Sequence, residues 1–298
     1  MRIYYGLSGF KPLGKAVVAL GVFDGMHFAH RHVITQAVLH ARRLSIPSVV
    51  VTFWPHPQKE ASLYSLEHRL RLIEELGVER CVVIHFSKHF SSLGAVDFVR
   101  RIIVEKIGAS CVYVGKNFRF GKNAAGNWKL LKELGTTFGF MVRIIDVIKR
   151  NKLPVSSTVI RRFILDGNLS AAQKLLMRPV SVLGTVVKGT TLGRLLGFPT
   201  ANLNPHHEIL PPAGIYAVRI RFGNELLKGV CYIGTRSTFK VSHNLSIEVH
   251  IFNFHRTIYG SNLEVLFIQR LRQDKKFSSR AALIQQIKRD IRAAKAIL

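Results

Sequence analysis

AVVALGVFDGMHFAHRHVITQAVLHARRL, residues 16–44, decides the fold. Its first part, AVVALGVF (16–23), is a continuous apolar run, the pattern of a strand buried on both faces. A Gly-flanked turn with Asp24 follows, and HRHVITQAVLHARRL (30–44) then repeats apolar residues at helical spacing. The same alternation continues downstream. PSVVVTF (47–53), CVVIHF (81–86) and CVYVG (111–115) read as strands; LEHRLRLIEELG (66–77), closed by a C-cap glycine, and AVDFVRRIIVEKIG (95–108) read as helices. Strand and helix in turn predict a doubly wound parallel sheet from about Lys15 to Asp146, with ligands at the carboxyl ends of its strands near the topological switch point.

After about residue 180 the pattern changes. VLGTVV, GIYAVRIRF, GVCYIG, LSIEVHIFNF and LEVLFIQRL are short β-rich runs separated by Gly, Pro and Asn, which predicts an antiparallel barrel or sandwich, and SSRAALIQQIKRDIRAAKAIL reads as a terminal capped helix. The boundary is expected at 178–182, giving domains 1–180 and 181–298. The chain has 298 residues, 44 Lys and Arg against 17 Asp and Glu, and a net charge of +27, which implies an anionic partner. The excess is spread over both parts: 27 basic against 11 acidic residues in 1–178, and 17 against 6 in 179–298. No apolar run is long enough to cross a bilayer, and MRIYYGLSGF has neither the apolar core nor the cleavage site of a secretory signal. Cys81, Cys111 and Cys231 form no C-x-x-C pair and sit among apolar neighbours, so buried thiols are expected rather than a zinc site or disulfides. A cytoplasmic protein is expected.

In GVFDGMHFAH (21–30), a helix whose first turn carries His27 and His30 would place both imidazoles on one face, beside the unpaired N–H groups of a helix N-terminus. Such a site favours phosphate and stabilises charge that builds up on an attacked phosphate oxygen. Two surface histidines are the alternative. In VSSTVIRRFI (155–164), Ser156, Ser157 and Thr158 read as a helix N-cap cluster, with Arg161 on the first turn; hydroxyls, N–H groups and a guanidinium there suit phosphates, although an ordinary capped helix has the same appearance.

GVFDGMHFAH resembles the H-x-G-H signature of the nucleotidyltransferase superfamily. With TFWPHP (52–57), VGKNFRFGKNAAG (114–126) and VSSTVIRRFI, in that order and spacing, it is similar to the N-terminal half of the bacterial bifunctional riboflavin kinase/FAD synthetase family. The resemblance implies that Phe23, Asp24, Gly25, His27, His30 and the 156–161 cluster hold ATP, and that Asn117, Phe118 and Phe120 line the flavin and adenine pocket; by composition alone the two phenylalanines are equally core residues. Ala29 stands where the family has glycine, and its methyl would crowd ATP or be absorbed by a slight shift.

GTVVKGTTLGRLLGFPTANL (184–203) supplies Gly184, Gly189, Gly193 and Gly197, which let a loop fold tightly on a polyphosphate; no G-K-[ST] follows, so it is not a Walker loop. GFPTAN resembles the riboflavin kinase signature and extends the likeness over nearly the whole chain. The resemblance implies that Pro199 lies at the site and that Thr200 and Asn202 bind Mg²⁺–ATP; kinase catalysis otherwise rests on positioning and charge neutralisation, for which Lys188 and Arg194 are the candidates. In SIEVHIFNF (246–254), Ile247, Val249 and Ile251 alternate onto one face and Glu248, His250 and Phe252 onto the other. Glu248 reads as an edge-strand carboxylate or, by the resemblance, as the base that takes the proton from the riboflavin 5′-hydroxyl. Here too the chain departs from the family's pattern. Tyr232 and Ser237 replace Asn and Pro of N-I-G-x-R-P-T-F, and Asn253 and Thr257 replace two acids of D-F-x-G-D-L-Y-G, whereas LRQDKKF (271–277) keeps its acid as Asp274. The expected function is two-step flavin synthesis, riboflavin to FMN to FAD, with ATP and Mg²⁺. The alternatives are a kinase without the second activity, or a basic nucleic-acid-binding protein on the same scaffold, although no nucleic-acid module is present. Oligomeric state is not encoded in any motif.

Overall fold

Strand β2 (Ala16–Leu20) is buried at every residue, and its two faces seed two cores. Ala16, Val18 and Leu20 pack with the helical segment formed by α4 (Ala95–Asp97) and the π-helical turns Phe98–Ile107, and with α5 (Trp128–Phe138). Val17 and Ala19 pack against α1 (Phe28–Leu44) and α2 (Leu66–Glu74). A strand covered on both sides cannot alternate polar and apolar residues, which is why its sequence is continuous. The computed structural model describes residues 1–57, 62–150, 153–189, 192–206, 208–235 and 245–298.

Around β2 lie β1 (Arg2–Tyr5), β3 (Ser48–Trp54), β4 (Arg80–His85), β5 (Ala109–Gly115) and β6 (Met141–Ile145), all parallel, in the order β1–β4–β3–β2–β5–β6. The chain builds β3 and β4 on one side of β2 and then returns to place β5 on the other. The switch point therefore lies beside the carboxyl end of β2, the position occupied by residues 21–27. A one-turn helix α3 (Lys88–Ser91) and a hairpin of β7 (Lys149–Arg150) and β8 (Leu153–Pro154) complete the unit. The MRIYY segment forms the edge strand β1, which its mostly exposed side chains had left without a strand signature.

The remaining strands are β9 (Val180–Val187), β10 (Ala201–Asn204), β11 (Gly214–Phe222), β12 (Glu225–Thr235), β13 (Leu245–Ile251) and β14 (Asn262–Gln273). They close into an antiparallel barrel, β10–β13–β12–β11–β14–β9, with β9 pairing back onto β10. Two short helices, α6 (Ser157–Leu165) and α7 (Leu169–Leu176), precede the barrel, and α8 (Leu192–Leu195) lies between β9 and β10. The terminal α9 (Arg280–Ile297) is capped by Ser279, whose hydroxyl accepts the Ala282 N–H at 3.2 Å. It is tied to β14 by Arg272, whose Nε and Nη2 donate to Asp290 at 3.0 and 2.9 Å. Packing divides the chain into two compact units, Met1–Val159 and Ile160–Leu298, with α7 packed on β9 in the second. Gly184 is not part of a loop: it lies within β9, where an added Cβ would meet the Asn204 carbonyl oxygen at 2.6 Å.

The three cysteines are buried and free. The barrel also buries Glu264 completely, with Arg178 hydrogen-bonded to it and Arg221 Nε at 3.3 Å. Removing the carboxylate leaves cations without their counter-charge, so Glu264→Ala is expected to lower stability by about 3–5 kcal/mol, read as a reduced urea midpoint for the barrel.

Candidate active sites

Strand β2 ends at Leu20, and the chain then makes an unusual turn. Phe23, Gly25 and Met26 all have positive φ, at 54°, 75° and 40°. The positive φ favours glycine at 25, and a side chain there would also meet Leu63 Cδ1 at 2.4 Å, so that leucine would have to swing aside. The backbone carbonyl of Val22 anchors the turn: Thr52 Oγ1 donates to it at 2.8 Å and Arg69 Nη1 at 2.5 Å. Arg69 is 1% exposed and also donates to the Phe53 carbonyl at 3.1 Å. Burial lowers its pKa to about 10, and the nearby Asp24 opposes that shift. The Asp24 carboxylate accepts the Leu63 N–H at 2.9 Å.

His27 is the N-cap of α1 rather than part of its first turn, because the extended backbone at 27 (φ −69°, ψ 172°) precedes a helix that begins at Phe28. Its Nδ1 accepts the His30 N–H at 3.3 Å, so the ring proton resides on Nε2 and that nitrogen is left as a donor. The His27 and His30 rings stack at 3.6 Å with 20° between planes. The expected pairing of the two imidazoles is realised through the cap. Burial lowers His27 from 6.5 to about 4, and burial first, then the charges of His27 and Arg69, push His30 well below the ordinary histidine range. Both rings are neutral at neutral pH, and the Nε2–H of His27 is the donor that the cap leaves.

The Ser156–Thr158 cluster reaches this turn. Ser156 Oγ accepts the Val159 N–H at 3.4 Å, and Ser157 Oγ donates to the Asp24 carbonyl at 2.8 Å. Thr158 is exposed, and Arg161 follows half-buried on α6, in the segment grouped with the barrel. Phe118 and Phe120 stack at 5.8 Å; Phe120 belongs to the β2 core, Phe118 packs against that core, and Asn117 is exposed. Arg69 and Thr52 were not recognised as site residues from sequence. The available signal was a cation on the apolar face of LEHRLRLIEELG, three residues from Leu66 and four from Ile73.

Two cavities lie among the described residues of the barrel. One, of about 320 Å³, is lined by Gly189, Arg194, Pro199, Thr200 and Asn202 together with residues 254–259. The other, of about 350 Å³, is lined by Gly193, Leu196, Phe198, Thr200, Tyr232, Glu248 and Asp274, with Leu283, Ile287 and Ile291 of α9. Thr200 lines both, and its hydroxyl donates to Glu248 Oε2 at 3.3 Å. Ile247, Val249 and Ile251 are buried in the barrel while Glu248 and His250 are half-buried, as the alternation predicts. His250 Nδ1–H donates to the Pro199 carbonyl at 2.9 Å, holding the segment before Thr200. A side chain at Gly189 would strike the Asn202 amide, 2.1 Å from its nitrogen, and one at Gly193 would meet the Phe198 carbonyl oxygen at 2.6 Å; both glycines are there for close approach. Gly197 serves its backbone, with φ 88°. Lys188 is exposed. Asn253 adopts φ 52°, a conformation asparagine tolerates, and Thr257 lines the first cavity. Ser237 lies outside the described residues.

A histidine pair at the switch point of one sheet and a barrel with two adjoining cavities give the chain a candidate site in each unit. A family model described as FAD synthetase matches residues 10–159, and one described as riboflavin kinase matches residues 176–298. Proteins named bifunctional riboflavin kinase/FMN adenylyltransferase are 33% identical to this chain in Buchnera aphidicola subsp. Schizaphis graminum (99% of this chain, 98% of the relative). In Escherichia coli K12 the identity is 32% (97% and 96%). A solved structure described as a macrolide-efflux protein from Streptococcus pneumoniae is 30% identical, with a TM-score of 0.86 over 99% of both chains. The chain belongs to the family of bifunctional riboflavin kinase/FMN adenylyltransferases.

Because burial holds His27 at about 4 in the folded state against 6.5 when unfolded, the unfolded chain takes up the proton first as pH falls. The stabilisation is complete above 6.5 and is lost as pH falls from 6.5 toward 4. Thermal unfolding of the first unit is expected to track that window, and His27→Asn, which retains a cap acceptor and removes one of the two buried histidine titrations, is expected to make the profile shallower, His30 supplying the remaining slope in the same direction.

Proposed function

We propose that the second unit transfers the γ-phosphate of ATP to the 5′-hydroxyl of riboflavin, and that the first unit joins FMN to the AMP part of ATP with release of pyrophosphate. The observation that carries the kinase reading is the Thr200–Glu248 hydrogen bond at the wall common to two cavities. ATP occupies the cavity lined by Gly189, Arg194, Pro199, Thr200 and Asn202; the flavin occupies the one walled by α9 and the Leu196–Phe198 segment. Glu248 stands at the junction, where a carboxylate removes the proton from the hydroxyl as its oxygen attacks phosphorus.

Mg²⁺ suits this donor set, since Thr200, Asn202 and Glu248 offer only oxygen and amide groups, and Mg²⁺ completes its shell from substrate phosphates. Thr200 and Asn202 would hold it, and it would supply neutralisation of phosphate charge. Among the described residues no cluster of three or more His, Cys, Asp or Glu forms a separate metal site.

In the first unit, Nε2–H of His27, the His30 ring and the N-terminus of α1 form a neutral donor surface for the ATP phosphates, with Ser157 fixing the Asp24 carbonyl beside them. Nucleophilic attack by an FMN phosphate oxygen on the α-phosphorus breaks the bond to the leaving pyrophosphate. Asn117, Phe118, Phe120, Thr158 and Arg161 are the further contacts this reading assigns. No helix among the described residues is long and apolar enough to cross a membrane, which accords with a cytoplasmic role, and the catalytic halves are taken as 1–180 and 181–298.

Incubation with riboflavin, ATP and Mg²⁺ is expected to yield FMN and then FAD by chromatography; unchanged riboflavin would overturn the proposal. Glu248→Gln is expected to reduce FMN formation by at least about a hundredfold, the scale of general-base catalysis, while leaving FAD formation from supplied FMN intact. Ala29 is an ordinary α1 residue without positive φ, so its methyl costs no backbone strain. Wild-type protein is therefore expected to make FAD, and Ala29→Gly to change that rate less than about tenfold while costing about 0.5–1 kcal/mol of stability.

A further inference from the structure

Tyr232 stands where the family pattern has asparagine, and it lines the second cavity rather than the barrel interior. Three observations give it a specific place there. Its Cα is the cross-strand partner of Glu248 in the β12–β13 ladder, so the two side chains leave the same face of the sheet as neighbours. Its hydroxyl donates to Asp274 Oδ2 at 3.1 Å, beyond the end of β14. Its ring lies directly over Gly234: a Cβ there would meet the phenolic oxygen at 2.0 Å and the ring carbon bearing it at 2.2 Å. The side chain thus runs as a bar from the strand beside the proposed base to the carboxylate at the cavity rim. Burial, together with the Asp274 charge, pushes the phenol to about 12, so it remains a donor throughout the working pH range.

We infer that Tyr232 is a flavin-recognition residue of the kinase cavity: its ring forms an aromatic wall for the isoalloxazine system, and its hydroxyl holds Asp274 in place at the rim. The cavity suits this use. Its other walls include Leu196, Phe198 and the α9 residues Leu283 and Ile287, a largely apolar slot with a few fixed polar groups. An asparagine cannot supply the flat face, and it is too short to span to Asp274. The inference rests on the kinase reading above and specifies how this chain, with its departure from the family pattern, holds the same class of substrate.

The test compares wild type, Tyr232→Phe and Tyr232→Asn in full-length protein with riboflavin, ATP and Mg²⁺. Tyr232→Phe keeps the ring and loses the bond to Asp274; it is expected to raise KM for riboflavin about 3- to 10-fold. Tyr232→Asn loses both, with a rise of roughly tenfold or more. In both variants KM for ATP is expected to stay within about twofold, since the nucleotide occupies the other cavity. A second readout is optical, because a phenol in contact with an isoalloxazine ring quenches its fluorescence. Among the described residues Tyr232 is the tyrosine lining this cavity, and both tryptophans, Trp54 and Trp128, lie in the first unit. Bound riboflavin is therefore expected to be brighter in Tyr232→Phe than in wild type. Unchanged riboflavin KM and unchanged quenching in both variants, with the wild type still forming FMN, would overturn this inference alone. A parallel rise in the KM of both substrates without a change in quenching would also overturn it, as a general loss of structure. A wild type that forms no FMN would overturn it together with the kinase reading.

Discussion

The first unit depends on one buried cation. Arg69 donates to the carbonyls of Val22 and Phe53, the backbone oxygens just past the end of β2 and near the end of β3. At the carboxyl edge of a parallel sheet these oxygens have run out of ladder partners, and a buried carbonyl without a donor is costly. One guanidinium satisfies both and fixes the exit of two adjacent strands relative to each other. The Phe23–Met26 turn, with three positive-φ residues, is held from that point. Its strain is tolerated because Thr52, Arg69, Leu63 and Ser157 all grip it from different elements. The histidine pair inherits its geometry from the same anchor.

Much of the fold is present in the sequence because period and composition report burial directly. A continuous run such as AVVAL can be satisfied only by a strand covered on both sides, and it is so covered. The short runs after residue 180 are separated by turn residues and leave no room for crossover helices, so an antiparallel closure follows. What composition cannot report is where an exposed edge joins. Strand β1 has no buried residue to mark it, and its place is set by parallel pairing to β4. Helix α7 likewise has the composition of either unit, and its packing unit is set by its contact with β9.

The sites show the same split between chemistry and geometry. His27 and His30 were legible as a pair from their spacing, but not the means of pairing: an imidazole N-cap fixes a tautomer that no helical wheel displays. The face that Glu248 occupies was legible from strand alternation, while the role of base came only from the family resemblance. That the Glu248 oxygen meets Thr200 depends on β10 pairing with β13, which sets Asn202 opposite Glu248. Arg69 was overlooked because a basic residue in a chain with 44 of them carries little information by itself; its position on an apolar helix face was the informative part.

The large positive charge is therefore a poor guide to the sites it was first read to explain. The cation that matters most in the first unit is hydrogen-bonded by backbone carbonyls and favoured by the nearby Asp24 charge, and it faces the fold rather than a ligand. In the barrel, Arg178, Arg221 and Arg272 are engaged by Glu264 and Asp290, so the buried acids that remain are spent on structure. In the proposed reading, phosphate recognition draws largely on neutral donors, namely the His27 imidazole N–H, hydroxyls, and backbone brought close by glycine, beside Arg194 in the barrel cavity. Neutral donors bind a polyanion without competing for its counter-ion, and in a water-poor cleft their dipoles cost no reorganisation as charge shifts between phosphate oxygens. An enzyme that must release a charged product gains from that choice, since a cleft lined with fixed cations would hold pyrophosphate or ADP after the chemistry is complete.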